Sequence, residues 1–125
     1  MDKIRGMEKT GIEQAASILW RTRLEKRRID ALPTYLRPAT LADGYAIQDA
    51  MVPLANQPVA GWKIAATSKA GQAHINVTEP LSGRLFANFI LPDSATLPAA
   101  PIHMAVAEVE FAFRLGRALD RPGPA

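Results

Sequence analysis

The hydrophobic period of this chain changes at Val59, and that change limits what it can fold into. Before it, apolar and amphipathic residues recur at helical spacing. Ile12, Ala16, Leu19 and Trp20 do so within a helix expected over residues 11–28, and Leu41, Tyr45, Gln48 and Val52 in a second run. After it, the pattern alternates. Val59 to Ala65 sets Trp62 and Ile64 opposite Lys63 and Ala65, and residues 105–115 set Val109, Phe111, Phe113 and Leu115 opposite Glu108, Glu110, Ala112 and Arg114. Helices first and strands afterwards argue for an α+β fold rather than a regular βαβ repeat.

Local signals supply the punctuation. Thr10-Gly-Ile-Glu13 has the form of a capping box opening the first helix. Leu32-Pro33 through Arg37-Pro38 reads as a linker, because two prolines in so short a stretch break regular structure. Thr40-Leu-Ala-Asp43 opens the second helix and Pro53 is expected to stop it. Residues 68–74 can form a short helix. Asn76 to Pro80, Ser82-Gly83 and Pro92-Asp93-Ser94 carry turn chemistry, with a short strand over Arg84 to Phe86, and Pro122-Gly-Pro124 reads as a loop. With 125 residues, 48% of them apolar, the expectation is a single domain over 1–125, helical over 10–53 and β-rich over 59–115.

Several functions are set aside by composition. The chain has no cysteine, so neither disulfides nor thiolate metal sites are available. The first residues lack the apolar core of a secretory signal, and no apolar run reaches the length of a membrane span, so a cytoplasmic location is expected. The net charge is +3, with Arg21, Arg23, Lys26, Arg27 and Arg28 close together. At a helix end such cations complement the helix dipole. Aromatic residues make up 6% of the chain and none interleaves with the cations, so nucleic acid is not the expected partner.

Glu108 and Glu110 share one face of the last expected strand. Two carboxylates so placed repel each other, and a hard divalent cation relieves the repulsion, Mg²⁺ or Mn²⁺ rather than zinc. On spacing alone, Glu-x-Glu is more often the solvent side of a strand, and Arg114 stands near enough in sequence to satisfy Glu110. Lys63, flanked by apolar residues, fits either a catalytic cation or a lysine snorkelling to the surface, and the local pattern favours the second. His74 and His103 have no ligand partner at metal spacing, and neither a phosphate loop nor a nucleophile elbow is present.

Four stretches together resemble the 2-keto-4-pentenoate hydratase family of the fumarylacetoacetate hydrolase superfamily. They are Gly44-Tyr-Ala-Ile-Gln48, Gly61-Trp-Lys-Ile-Ala-Ala-Thr-Ser68, Pro80 with Gly83-Arg-Leu-Phe86, and Ala107-Glu-Val-Glu-Phe-Ala-Phe113, in register from about residue 10 onward. The resemblance implies the superfamily's β-roll fold, here truncated, and membership of a homo-oligomer. It implies Mg²⁺ or Mn²⁺ held by Glu108, Glu110 and a third carboxylate from a later segment, with Lys63 as the active-site lysine and Thr67 and Ser68 lining the pocket. The implied reaction is that of a hydro-lyase: a 2-hydroxy-2,4-dienoate is ketonised and hydrated to a 4-hydroxy-2-oxo acid.

Two departures bear on that expectation. Many hydratases carry an acidic residue two positions before the glycine matched by Gly83; here that position is Leu81, with Glu79 two residues further back. A 2-oxo-3-enedioate decarboxylase or a C–C hydrolase of the same superfamily is therefore the alternative enzyme. The second departure is length. The family's chains continue well beyond this point, and Asp120 is a poor substitute for the third ligand, so the chain is expected to be the N-terminal portion of a longer enzyme. Alone, it is expected to be weakly stable or to associate. A truncated, non-catalytic interaction module is the remaining reading.

Overall fold

The computed structural model describes residues 6–99, 102–104 and 106–118. They form a small α+β unit. Helix α1 (Lys9–Leu24) is followed by a 3-10 turn (Thr34–Leu36) and helix α2 (Leu41–Ala55). Strand β1 (Val59–Ala65), helix α3 (Lys69–His74) and strand β2 (Leu81–Phe86) come next, and a second 3-10 turn covers Ala87–Phe89. Helix α3 lies between the strands, in the place of the short helix expected over 68–74.

Helices α1 and α2 pack on each other because both expose small or apolar residues at one face. Ala15 and Ala16 are fully buried, and Ile47 and Leu36 close the core with them. Leu36 comes from the segment expected to be a linker. Its prolines do break the helix, yet Pro33 leads into the 3-10 turn that drives Leu36 under α1. Trp20 extends the core toward the sheet, meeting the Phe86 ring edge-on with centroids 5.5 Å apart.

The ends of the helices depart from their local signals. Helix α1 starts at Lys9, Glu8 is its N-cap without a side-chain bond, and Thr10 lies inside the helix, so the expected capping box is absent. A tertiary bond sets this start: the Met7 N–H donates to Asp43 Oδ1 at 2.8 Å. The helix ends at Leu24 rather than near residue 28. Lys26 turns left-handed, with φ 53°, and the Lys26 and Arg27 N–H groups bond the carbonyls of Arg23 and Thr22. This is a Schellman ending with lysine where glycine is usual. Helix α2 has the expected capping box between Thr40 and Asp43 but runs past Pro53 to Ala55, ending at left-handed Asn56. A proline in a final turn removes only one bond, that to the Asp49 carbonyl.

Strands β1 and β2 form an antiparallel pair with Trp62 opposite Arg84, Lys63 opposite Gly83, and Ile64 opposite Ser82. Ser82-Gly83 is thus strand, not turn. Ser82 turns its backbone groups away from β1, and α2 takes both: its N–H donates to the Tyr45 hydroxyl at 3.2 Å, and Gln48 Nε2 donates to its carbonyl at 3.2 Å. Asp49, one residue on, pairs with Arg84. Helix α2 so covers the open edge of β2. The alternation of β1 holds, with exposure reversed: Trp62 and Ile64 are about half exposed while Lys63 and Ala65 are less so.

The strand expected over 105–115 is not formed among the described residues. A strand needs a neighbour to take its backbone bonds, and the sheet stops at two strands. Val109, Phe111 and Phe113 are consequently more than nine-tenths exposed. Asp120 and the Pro122–Pro124 loop lie outside the described residues. No helix among the described residues is long and apolar enough to cross a membrane.

Candidate functional site

The segment that fails to become a strand still presents its two carboxylates to one point. Lys63 Nζ lies 3.2 Å from Glu108 Oε2 and donates a hydrogen bond to Glu110 Oε1. The residues meet across 47 positions of sequence. The two acids, two positions apart, both reach one ammonium, while Val109 between them is fully exposed. Glu110 is therefore satisfied by Lys63 rather than by Arg114. Lys63 is held on β1 opposite Gly83, and space around that glycine is open, since a Cβ built there meets nothing within 4 Å.

The electrostatics follow from the contacts. The hydrogen bond that Lys63 donates to Glu110, and next that to Glu108, raise the Lys63 pKa above its ordinary value. The cluster is open to water, with the Lys63 side chain 40% exposed and those of Glu108 and Glu110 63% and 47% exposed. In such a setting the ion pairs themselves add little stability.

The other anticipated residues are not brought to this cluster by any hydrogen bond. The Ser68 hydroxyl caps α3, accepting the Gly71 N–H at 3.1 Å. Thr67 is exposed in the irregular connection that precedes it. Leu81 stands on the same face of β2 as Gly83, diagonal to Lys63, so an apolar side chain occupies the flank of the lysine. Glu79 is exposed in a bend before β2. Reasoning from sequence missed the group that holds β2 in place, namely Tyr45, Gln48 and Asp49 acting on Ser82 and Arg84. Their i, i+3, i+4 spacing on α2 was the available signal.

In kind, the donor set fits a hard divalent cation, because two carboxylates converge on one positive centre. Mg²⁺ is commonly held by one or two carboxylates, with water or substrate completing its shell. No group of three acidic, histidine or cysteine side chains placed to hold a metal occurs among the described residues.

Comparison with known proteins gives this cluster a context. The chain is 33% identical over 116 residues to 2-keto-4-pentenoate hydratase of Paraburkholderia xenovorans (strain LB400), and equally to 2-keto-4-pentenoate hydratase 3 of Pseudomonas putida. Each match covers 90% of this chain and 43% of the relative. It is 32% identical over 101 residues to 2-oxo-hept-4-ene-1,7-dioate hydratase of Escherichia coli, covering 78% of this chain and 38% of that protein. The chain thus spans less than half the length of the curated relatives it matches. No family model matches the chain, and no solved structure matches it significantly. The likeness seen in the motifs extends along most of the chain.

Proposed function

Taking the chain as a sequence relative of the 2-keto-4-pentenoate hydratases, we propose that it supplies part of the active site of a hydratase acting on a 2-hydroxy-2,4-dienoate. The observation that carries this reading is the convergence of Lys63, Glu108 and Glu110. On this reading, Glu108 and Glu110 would hold Mg²⁺ or Mn²⁺ through their carboxylate oxygens. Such an ion, when bound, supplies Lewis-acid stabilisation of enolate charge and a template for the carboxylate and 2-oxo oxygens of a small 2-oxo acid.

The chain's own residues do the rest. With Glu108 and Glu110 engaged by such an ion, the Lys63 ammonium would be free to donate to the substrate's 2-oxo or enolate oxygen. It stays next to the carboxylates and so keeps a second positive charge beside the developing negative one. Gly83 leaves room over the lysine for the substrate carbon chain. Thr67, whose hydroxyl makes no hydrogen bond among the described residues, is close in sequence to Lys63 and can donate to the substrate carboxylate, whereas Ser68 serves mainly to cap α3. Missing ligands and the oligomer would come from outside the described residues.

Leu81 favours a second reading. With an apolar residue diagonal to Lys63, no carboxylate at that position moves the proton that hydration requires, and a 2-oxo-3-enedioate decarboxylase needs only the charge stabilisation. One assay separates the two. With Mn²⁺ present, a hydratase removes the ultraviolet absorbance of 2-hydroxypenta-2,4-dienoate, and Lys63→Met lowers the rate about 10²-fold. A decarboxylase instead releases CO₂ from a 2-oxo-3-enedioate. Turnover of neither substrate, in an enzyme whose remaining ligands are supplied alongside this chain, sinks both and leaves a non-catalytic module.

A further inference from the structure

On the other face of the hairpin lies a groove unconnected with Lys63. Arg84 and Trp62 are cross-strand partners, as are Lys63 and Gly83, so the two pairs face opposite sides. On the Arg84 side a cavity of about 320 Å³ opens between α1, α2 and β2, walled by Trp20, Met51, Phe86 and Phe89. A second cavity of about 470 Å³ continues it, lined by Arg23, Lys26, Arg27 and His103. The two share Leu19, Arg23 and Phe89, so they form one groove with an aromatic end and a cationic end.

Charge is unbalanced along this groove. Among the described residues, no acidic side chain lines either cavity. Arg84 is neutralised by Asp49 and Arg27 by Glu25. Arg23 has no acidic partner among the described residues; its guanidinium lies 4.1 Å from the centre of the Phe89 ring. That stacking leaves the N–H edge of the guanidinium available and holds it at the junction of the two cavities.

We infer that this groove binds a small amphipathic monocarboxylate, its alkyl or aryl body among Trp20, Met51, Phe86 and Phe89 and its carboxylate on Arg23. The apolar walls provide the burial, and the guanidinium fork matches a carboxylate in shape as well as charge. Occupancy is independent of Glu108 and Glu110, which lie with Lys63 on the other side.

Equilibrium dialysis of the full chain against octanoate, with 1-octanol as the uncharged control, tests this. Octanoate is expected to bind saturably, and octanol roughly tenfold more weakly, since it lacks the charge-assisted bond. Arg23→Gln should erase the difference, Arg23→Lys should keep most of it, and Glu110→Gln should leave it unchanged. Circular dichroism of each variant confirms that α1 persists. Equal binding of the two probes, absence of saturable binding, or a preference for octanoate that survives Arg23→Gln would each overturn the inference.

Discussion

At the scale of single residues, Asp43 does more for the fold than any residue of the candidate site. Its Oδ1 accepts the Met7 N–H that fixes the start of α1, while its Oδ2 accepts the N–H groups of Ala39 and Thr40 and the Thr40 hydroxyl. Burying a carboxylate is tolerable only when it is so fully bonded. These bonds, that from Met7 first, hold the Asp43 pKa below its ordinary 3.8. A depressed carboxylate contributes stability that is present above 3.8 and lost as pH falls through its lower, folded value. Asp43→Asn should therefore be less stable than the parent at neutral pH, with the gap closing on acidification below that value. Urea denaturation at a series of pH values measures it, and a gap independent of pH would contradict the assignment. Lys63 has the opposite sign: its raised pKa means its pairing is intact below 10.5 and lost only as pH rises through a value above that.

At the scale of elements, what could be read from sequence divides by the range of the interaction that sets it. Strand β1 runs over Val59–Ala65 as its alternation says, and the Thr40–Asp43 cap and the short helix after Ser68 are where their local patterns put them. The Thr10 box failed because a bond from Met7 to Asp43, 36 positions away, outweighs it. Ser82-Gly83 became strand because Tyr45 and Gln48 satisfy Ser82 from another element. Among the site residues, Glu108 and Glu110 could be placed side by side from their spacing, whereas their meeting with Lys63 depends on a long-range approach that no local pattern encodes. The end of α1 was hidden because lysine, not glycine, takes the left-handed position. That position carries a prediction: Lys26→Gly should raise stability by about 0.5–1 kcal/mol by removing the Cβ penalty. Thermal melts of the pair decide it, and a loss of stability would mean that the Lys26 side chain contributes more than its backbone strain costs.

At the scale of the whole molecule, a small core coexists with a large uncovered apolar surface. Among the described residues Leu36 is the largest side chain that is fully buried, while Trp62 and Ile64 on β1 and Val109, Phe111 and Phe113 beyond the sheet stand open. Exposed apolar surface of this extent drives association. Light scattering of the chain should show an average mass that rises with concentration, and Phe111→Ser with Phe113→Ser should suppress the rise without altering the helical circular dichroism. A constant monomer mass in the parent would show that the surface is not sticky enough to matter. Where Lys63, Glu108 and Glu110 meet, a Mn²⁺ titration followed by electron paramagnetic resonance reads out metal binding by the two glutamates. The account predicts saturable loss of the free Mn²⁺ signal with the parent chain, and affinity at least about tenfold weaker in Glu108→Gln and in Glu110→Gln. Mn²⁺ uptake that is unchanged when both glutamates are replaced, or no uptake by the parent chain, would contradict it.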